Sequence, residues 1–233
     1  MTATTRNVRT YDHFCFLARA LERVGDRWSL LVVRDLLTGP KRFTDLMDRL
    51  GGITPKTLTQ RLRELGDVAV VAADRVPGRR EVWYRLTPTG AELGPVIEQL
   101  AGWGWRHAWS VPDGGQPLHP EHLLLSLVVL LNEAPDRRRT RWHLHFTDDG
   151  DYTLSNDGTR WSLRSVPPPS DHPADLTVVT STAAWLSFLL DPTLARAEEL
   201  AVQISGPPPA RRHLTHLLRV FPTSIPTSIP SPT

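Results

Sequence analysis

The sequence predicts an α+β protein whose two halves are built differently. Apolar residues recur at helical spacing through the N-terminal half, and a pair of alternating segments typical of a β-hairpin follows them. The C-terminal half has short alternating segments separated by Asp-Gly turns, with helical segments before and after them. With 233 residues, 40% of them hydrophobic and 22% charged, the chain is long enough for two modest globular domains.

Charge is distributed unevenly between the two halves. Residues 1–112 hold 17 Lys and Arg against 12 Asp and Glu, a balance of +5. Residues 113–233 hold 10 against 13, a balance of −3. Only the N-terminal half therefore has the charge expected of a surface that binds a polyanion.

No segment predicts a membrane span or a secretory signal. The longest apolar run, around residues 123–131, is far shorter than the roughly 20 residues that a bilayer requires, and the first residues lack an apolar core. The single cysteine, Cys15, leaves no internal disulfide, which suits a reducing compartment. We therefore expect a cytoplasmic protein without a membrane partner.

Three helices are predicted ahead of a basic one. They cover residues 12–24, residues 27–37 behind an Asp26 cap, and a short segment behind a Thr44 cap. A Gly-Gly turn then leads into the next helix. A helix, a tight turn and a basic helix follow one another in the order of a helix-turn-helix motif.

The fourth helix carries the densest basic surface of the sequence. Thr54 can cap it, and Pro55 fits its first position, where no backbone amide is needed. Leu58, Leu62 and Leu65 fall on one stripe that faces a core. The residues expected to meet bases or phosphates are Thr54, Lys56, Thr57, Thr59, Gln60, Arg61 and Arg63. Taken alone, the segment also fits an ordinary amphipathic helix with a solvated basic face.

A β-hairpin is predicted directly behind this helix. Residues 69–76 and 80–86 alternate as strands around a Pro-Gly turn. Beside a basic helix, the hairpin is expected to act as a wing that reaches the DNA backbone or minor groove through Arg75, Arg79 and Arg80. Arginines that serve only solubility are the alternative. A last helix of this half is predicted from residue 88 to about residue 109.

Four blocks of this half resemble the HxlR family of bacterial winged-helix transcription regulators, relatives of the MarR regulators. The blocks are GDRW, GPKRF, GITPKTLTQRL and YRLTPTG, which follow the family's order and spacing within residues 11–109. The resemblance implies a homodimer, with the first and last helices of the domain packing between protomers. It also implies a palindromic double-stranded DNA operator whose half-sites lie ~10 bp apart. One departure is Ala69, where such sequences usually carry Gly.

Cys15 stands where many members of that family also carry a cysteine. In some of them this thiol senses oxidants or electrophiles, so the resemblance makes Cys15 a candidate redox switch. Phe14 and Phe16 surround it with apolar bulk, however, and a buried helical cysteine is usually inert.

The C-terminal half predicts an antiparallel meander followed by mixed elements. Its predicted helices and strands cover residues 120–132, 141–147, 151–155, 160–164, 176–180, 182–190, a helical stretch from 192, 201–204 and 209–220. The predicted domains are a winged helix-turn-helix domain at 1–112, a linker at 113–119, a smaller antiparallel-sheet-plus-helices domain at 120–222, and a disordered tail at 223–233.

This order of elements is similar to the sterol carrier protein fold found behind some actinobacterial HxlR-type domains. The resemblance implies an apolar cavity for a hydrophobic small-molecule effector. The residues expected to line it are Trp142, Leu144, Phe146, Trp161, Trp185 and Phe188. Alternatively, these side chains simply fill the core.

Metal, cofactor and catalytic sites are not predicted. His143 and His145, like His213 and His216, are spaced to share a face, but no acidic residue or cysteine completes a ligand set at nearby spacing. No nucleophile elbow, P-loop or dinucleotide fingerprint occurs. We therefore expect a non-enzymatic, sequence-specific regulator acting as a repressor. The alternatives are a hydrophobic-ligand carrier that uses the winged helix only for dimerisation, and thiol-based sensing through Cys15.

Overall fold

The computed structural model describes residues 10–75, 81–108, 118–133, 136–166, 169 and 171–219. The chain divides into two compact units, Met1–Ile97 and Glu98–Thr233, so the division falls inside a helix. Most of the predicted linker at 113–119 and the whole predicted tail at 223–233 lie outside the described residues. No helix in the described ranges is long and apolar enough to cross a bilayer.

The N-terminal unit consists of helices and a three-stranded sheet. Its elements are α1 (Phe16–Val24), α2 (Ser29–Leu36), β1 (Lys41–Arg42), α3 (Phe43–Leu50), α4 (Pro55–Asp67), β2 (Val71–Arg75), β3 (Val82–Leu86), α5 (Pro88–Ala91) and α6 (Gly94–Ala108), the last of which continues into the C-terminal unit. Strand β3 pairs antiparallel with both β1 and β2. The predicted helix-turn-helix order and the hairpin are confirmed.

The predicted leucine stripe of α4 anchors that helix in the core. Leu58, Leu62 and Leu65 are 0%, 5% and 1% exposed, and they belong to one cluster with Val32 of α2 and Leu46 of α3. The apolar spacing of the sequence therefore identified the buried face correctly, since i, i+4 and i+7 positions share one side of a helix.

The start of α3 differs from the prediction. The helix is capped by Arg42 and not by Thr44, which lies inside it. The Asp45 carboxylate reaches back and accepts a hydrogen bond from the Arg42 backbone amide at 2.8 Å. The prediction was wrong because it lacked β1, whose pairing with β3 holds Arg42 extended directly ahead of the helix.

The helix predicted over residues 88–109 is divided into α5 and α6. Pro95 occupies the second position of α6, where its missing amide costs no hydrogen bond, whereas in a continuous helix it would break one. Gly90 of α5 is buried, and a Cβ there would lie 2.1 Å from the carbonyl oxygen of Val70. The short α5 thus packs closely on the segment that precedes β2, and α6 begins anew behind it.

Ala69 occupies a backbone position that favours glycine. Its φ is +55°, in the left-handed region, directly after α4. We expect Ala69→Gly to raise the free energy of unfolding by ~0.5–1 kcal/mol, since relief of the left-handed strain exceeds the added entropy of the unfolded chain. Urea titration measures the change, with Ala73→Gly in β2 as the matched control that should lower stability. A lower stability of Ala69→Gly would contradict this explanation.

The C-terminal unit places a five-stranded sheet against helices. Its elements after α6 are α7 (Pro120–Glu133), β4 (Thr140–Phe146), β5 (Asp151–Asn156), β6 (Trp161–Arg164), β7 (Leu176–Thr180), α8 (Thr182–Leu190), α9 (Leu194–Glu199), β8 (Gln203–Ser205) and α10 (Pro208–Leu218). The strand order is β6-β5-β4-β7-β8. The predicted meander of β4, β5 and β6 is antiparallel, as expected.

The sheet as a whole is mixed, so the prediction of an antiparallel sheet is corrected. Strand β7 pairs in parallel with β4, with Leu144 opposite Val178. The chain leaves β6 at one edge, passes β5 and β4, and enters the sheet again on the far side of β4. A crossover of this kind makes neighbouring strands parallel, and local alternation in the sequence cannot reveal it.

Candidate nucleic-acid interface

Helix α4 presents a polar and basic outer face. The Thr54 hydroxyl accepts a hydrogen bond from the Thr57 amide at 3.2 Å, and Pro55 takes the first helical position. Opposite the buried leucines, the predicted DNA contacts Thr54, Lys56, Thr59, Gln60 and Arg63 are exposed, and Thr57 is half-buried. The structure thus brings most of the predicted residues of this helix onto one surface.

Two polar side chains on this face are held by neighbours within the helix. The Thr59 hydroxyl donates to the Pro55 carbonyl oxygen at 2.8 Å. The Gln60 amide donates to a Glu64 carboxylate oxygen at 3.0 Å. A base that is read by Gln60 must therefore compete with Glu64 for the amide hydrogens.

Arg61 differs from the other predicted DNA contacts. Its side chain is only 15% exposed, and its guanidinium lies 3.3 Å from Asp26 and 2.5 Å from Glu64. Both carboxylates belong to the same unit, so Arg61 ties α4 to the turn ahead of α2. We expect it to orient the helix more than to contact phosphate.

The wing carries both basic and acidic residues. Arg75 is exposed at the end of β2, whereas the predicted contacts Arg79 and Arg80 lie outside the described residues. Arg85 is paired with Asp74 across the hairpin at 2.7 Å.

Arg42 is a basic residue of this region that the sequence analysis did not single out. Its guanidinium lies 5.5 Å from the centre of the Trp83 ring, and 3.2 Å and 3.8 Å from the carboxylates of Asp45 and Glu81. Hydrogen bonding to Asp45 raises the pKa of Arg42 above its ordinary value. Only the pairing of β1 with β3 reveals its place beside the wing, because β1 is two residues long and gives no strand signal.

The two lysines of the chain have opposite environments. Lys41 is 5% exposed, and its ammonium group donates to the Thr38 hydroxyl at 2.9 Å. Lys56 is exposed on α4. Lys41 therefore adds little to the outer charge of the unit, and Lys56 is the lysine available to a polyanion.

Helices α1 and α6 each leave several large apolar side chains exposed. Around the start of α1, Phe14, Phe16 and Leu17 are 82%, 80% and 66% exposed. On α6, exposed Val96, Leu100 and Trp103 are spaced i, i+4 and i+7, so they form one stripe. Contiguous apolar surface of this kind usually marks an interaction site in a soluble protein.

Cys15 lies at the edge of the α1 surface. It is the N-cap residue of α1, is half-buried, and makes no side-chain capping hydrogen bond. Its neighbours Phe14 and Phe16 are exposed, so the apolar bulk expected around the thiol does not bury it. Cys15 is thus less buried than the sequence predicted, and its reactivity stays a prediction.

The six residues predicted to line a cavity are gathered in the core of the C-terminal unit. Each of Trp142, Leu144, Phe146, Trp161, Trp185 and Phe188 is at most 2% exposed, and all belong to one cluster. Their alternation along β4 turns Trp142, Leu144 and Phe146 inward and the two histidines between them outward.

Those two histidines meet a carboxylate that the sequence analysis did not consider. His143 Nε2 and His145 Nδ1 lie 2.8 Å and 3.0 Å from the same oxygen of Asp151, which stands opposite His145 in the β4–β5 register. Burial alone would raise the pKa of Asp151, but the hydrogen bonds from His143 and His145 outweigh it, so this pKa is lowered. Within the described residues, no group of three or more His, Cys, Asp or Glu side chains is arranged to hold a metal ion.

The second histidine pair does not act together. His213 Nε2 lies 3.0 Å from an Asp136 oxygen, and both side chains are about nine-tenths buried. Burial lowers the pKa of His213 more than the Asp136 charge raises it. His216 is exposed on the same helix.

The lowered pKa of Asp151 predicts a pH-dependent contribution to stability. Ionised Asp151 stabilises the fold at a pH above its unfolded value of about 4, and the effect is lost as pH falls through the lower folded value. Asp151→Asn should therefore lower the free energy of unfolding by ~0.5–1 kcal/mol at pH 7, because the partly exposed cluster is screened. The deficit should vanish in acid. Urea titrations from pH 7 to pH 2 measure it, and exposed Asp191→Asn is the control. An equal deficit at every pH would refute the role of the charge.

Comparison with solved structures finds regulators that match part of this chain. The oxidized redox regulator HypR is 29% identical, with a TM-score of 0.39, and the match covers 42% of this chain and 100% of that one. The reduced YodB regulator of Bacillus subtilis is 30% identical, with a TM-score of 0.37, over 40% of this chain and 94% of that one.

Curated relatives match the same part of the chain. An HTH-type transcriptional regulator of Synechocystis is 38% identical over 36% of this chain and 64% of its own length, so less than two thirds of that relative is spanned. The HTH-type regulator YkvN of Bacillus subtilis is 37% identical over 37% of this chain and 75% of its own length. An HTH-type transcriptional regulator of Methanothermobacter thermautotrophicus is 32% identical over 45% of this chain and 81% of its own length. This chain covers more than two thirds of the length of each of these last two relatives. The model of the HxlR-like helix-turn-helix family matches residues 23–111, and the chain belongs to that family.

Proposed function

We propose that this chain is a sequence-specific DNA-binding transcription regulator that reads its operator with α4. The single observation that carries the proposal is the outer face of α4, where Lys56, Gln60 and Arg63 are exposed while the opposite leucines are buried. The names of its relatives as HTH-type transcriptional regulators support it. The proposal assigns no catalytic step to the chain and places it in the cytoplasm, acting as a repressor.

The residue types suggest how the operator is read. Lys56 and Arg63 suit guanine in the major groove, and Gln60 suits adenine once it leaves Glu64. Arg75, with Arg79 and Arg80 of the wing, would contact the phosphate backbone or the minor groove. The helix would thus supply discrimination, and the wing mainly affinity.

The same proposal includes a homodimer on a palindromic operator. The exposed apolar surfaces of α1 and α6 support it, because Phe16 and Leu100 would otherwise remain in water. Two copies related by a twofold axis would present two α4 helices to half-sites ~10 bp apart.

An effector is assigned to the C-terminal unit. The sequence resemblance of this half to the sterol carrier fold suggests a hydrophobic small molecule as the ligand, and the aromatic core around Trp142 and Trp185 supports it. The alternative function is a carrier of hydrophobic molecules that uses the winged helix only to dimerise. It would bind the hydrophobic molecule without salt-dependent affinity for DNA.

A second mode of control is favoured by the position of Cys15. This half-buried thiol borders the exposed α1 surface that the proposed dimer would cover. An oxidant or electrophile that enlarges the side chain would disturb packing there. Cys15 is therefore a candidate thiol sensor that acts through the dimer.

The reading of DNA by α4 is tested with two substitutions and one control. Gln60→Ala should lower discrimination between operator and random duplex by ~1–3 kcal/mol. Arg75→Ala should weaken binding to every sequence and reduce the salt slope by about one. Arg212→Ala, an equal charge change at an exposed residue of the C-terminal unit, should alter neither. Fluorescence anisotropy on the chain's own upstream DNA across a salt series measures all three. Unchanged binding by Gln60→Ala and Arg75→Ala would refute the assignment.

The dimer is tested with a charge on α1. Phe16→Glu should convert the dimer into a folded monomer, because Phe16 is 80% exposed and supports no core of its own chain. Light scattering after size-exclusion chromatography measures the mass, and circular dichroism verifies folding. Leu194→Glu, at a residue 37% exposed on α9, is the control that should remain dimeric. A wild-type monomer, or a dimeric Phe16→Glu variant, would contradict the interface.

A further inference from the structure

Three indole N–H groups in the C-terminal core have no acceptor among the described residues. They belong to Trp142, Trp161 and Trp185, which are 1%, 2% and 0% exposed. A buried indole N–H usually finds a hydrogen-bond partner, since leaving it unpaired costs free energy. Phenylalanine would fill apolar space without that cost. The three indoles therefore suggest a polar acceptor in addition to those with which the described residues pair.

The rings of two of these tryptophans lie together at one end of the sheet. The rings of Trp142 on β4 and Trp161 on β6 have centres 4.5 Å apart, and the His213 ring of α10 lies 6.3 Å from Trp142. Trp185 belongs to a second aromatic group with Phe146 and Phe188. Phe146 follows Trp142 by four residues on β4, about 13 Å along the strand, so the two groups are well separated.

Most acceptors named around the first pair already bind other donors. The Asn132 side-chain oxygen accepts from the Trp161 backbone amide at 2.7 Å, and the Asn132 amide donates to the Trp161 carbonyl at 3.2 Å. The carboxylate of Asp136 lies 3.0 Å from His213 Nε2, its backbone carbonyl accepts from the Asn156 side-chain amide, and its Oδ2 atom makes no hydrogen bond with the described residues. Two unpaired indole donors thus lie in a neighbourhood with one unpaired acceptor oxygen.

The charge of the neighbourhood points to a neutral acceptor. The Asp136 carboxylate, 3.0 Å from His213 Nε2, already brings a buried negative charge to this end of the core, and burial lowers the pKa of His213, which disfavours a positive charge on its ring. The adjoining core is aliphatic and aromatic. A carbonyl-type oxygen on an apolar ring fits donors of this kind without bringing a charge into the core.

We propose that Trp142 and Trp161 bind a neutral, ring-containing small molecule through its carbonyl-type oxygen, to which their indole N–H groups donate. The inference rests on the proposed effector function of this unit and names its ligand class and its contact point. Both rings are closed to solvent, so uptake requires a local opening of the core, and association is slower than diffusion.

A matched pair of probes tests the donor role directly. Fluorenone and fluorene have the same ring system, but only fluorenone carries a carbonyl oxygen. With the full chain labelled with ¹⁵N, fluorenone should move two of the eight tryptophan indole resonances downfield and bind about tenfold more tightly than fluorene. Equal binding of the two probes, or no binding of either, would overturn the proposal. This comparison uses the unaltered chain and does not depend on any variant folding.

Substitutions locate the site. Trp142→Phe and Trp161→Phe should each remove most of the preference for fluorenone, whereas Trp185→Phe, the same change at an equally buried indole, should leave it within twofold. An equal loss in all three variants would overturn the assignment to the first pair. Operator binding measured on the same samples reports on the regulator alone. Absence of operator binding together with a retained preference for fluorenone would refute the proposed regulator function but not this ligand site.

Discussion

Burial of one leucine stripe determines which surface α4 can offer to DNA. Leu58, Leu62 and Leu65 are at most 5% exposed, and their position on the helix turns Lys56 and Arg63 outward. Their burial contributes on the order of 5–9 kcal/mol. A rotated helix would lose that contribution and would also bury a charge. The packing of the N-terminal unit therefore turns the polar face of α4 outward without any help from DNA.

Local chemistry in the sequence was enough to predict the elements that carry this face. The Thr54 cap, the Pro55 start and the apolar period located α4, and the local order of apolar segments behind the Pro-rich loop gave β7 and α8 with the bounds that the structure has. Each of these signals lies within a few residues of the feature that it predicts. The coarse fold of the N-terminal unit could be predicted from the sequence for that reason.

Interactions between residues distant in sequence could not be predicted from the sequence. Arg61 pairs with Asp26 of an earlier turn, so a basic residue predicted for DNA is held within the protein. Asp151 meets His143 and His145 only through the β4–β5 register. The parallel pairing of β4 with β7 depends on a crossover that has no local pattern. Such features require the packed chain.

The two regions proposed for regulation share one physical property, because each holds groups whose interactions the single chain does not complete. On α1, Phe16 is exposed beside the thiol of Cys15. In the C-terminal core, the Trp142 and Trp161 indoles are buried and find no acceptor in the part of the chain that the structure describes. A second copy of the chain would cover the first, and a small molecule would satisfy the second.

Amine acetylation of Lys56 tests the central claim most directly. Lys56 and Lys41 are the only lysines in the sequence, and Lys41 is buried, so it serves as the internal reference. Acetylation rates are measured by peptide mass spectrometry with and without the chain's own upstream duplex. If α4 reads DNA, the duplex should slow acetylation of Lys56 at least tenfold at low salt, and high salt should restore it. An unchanged rate at Lys56 in a fully formed complex would show that another surface binds the DNA.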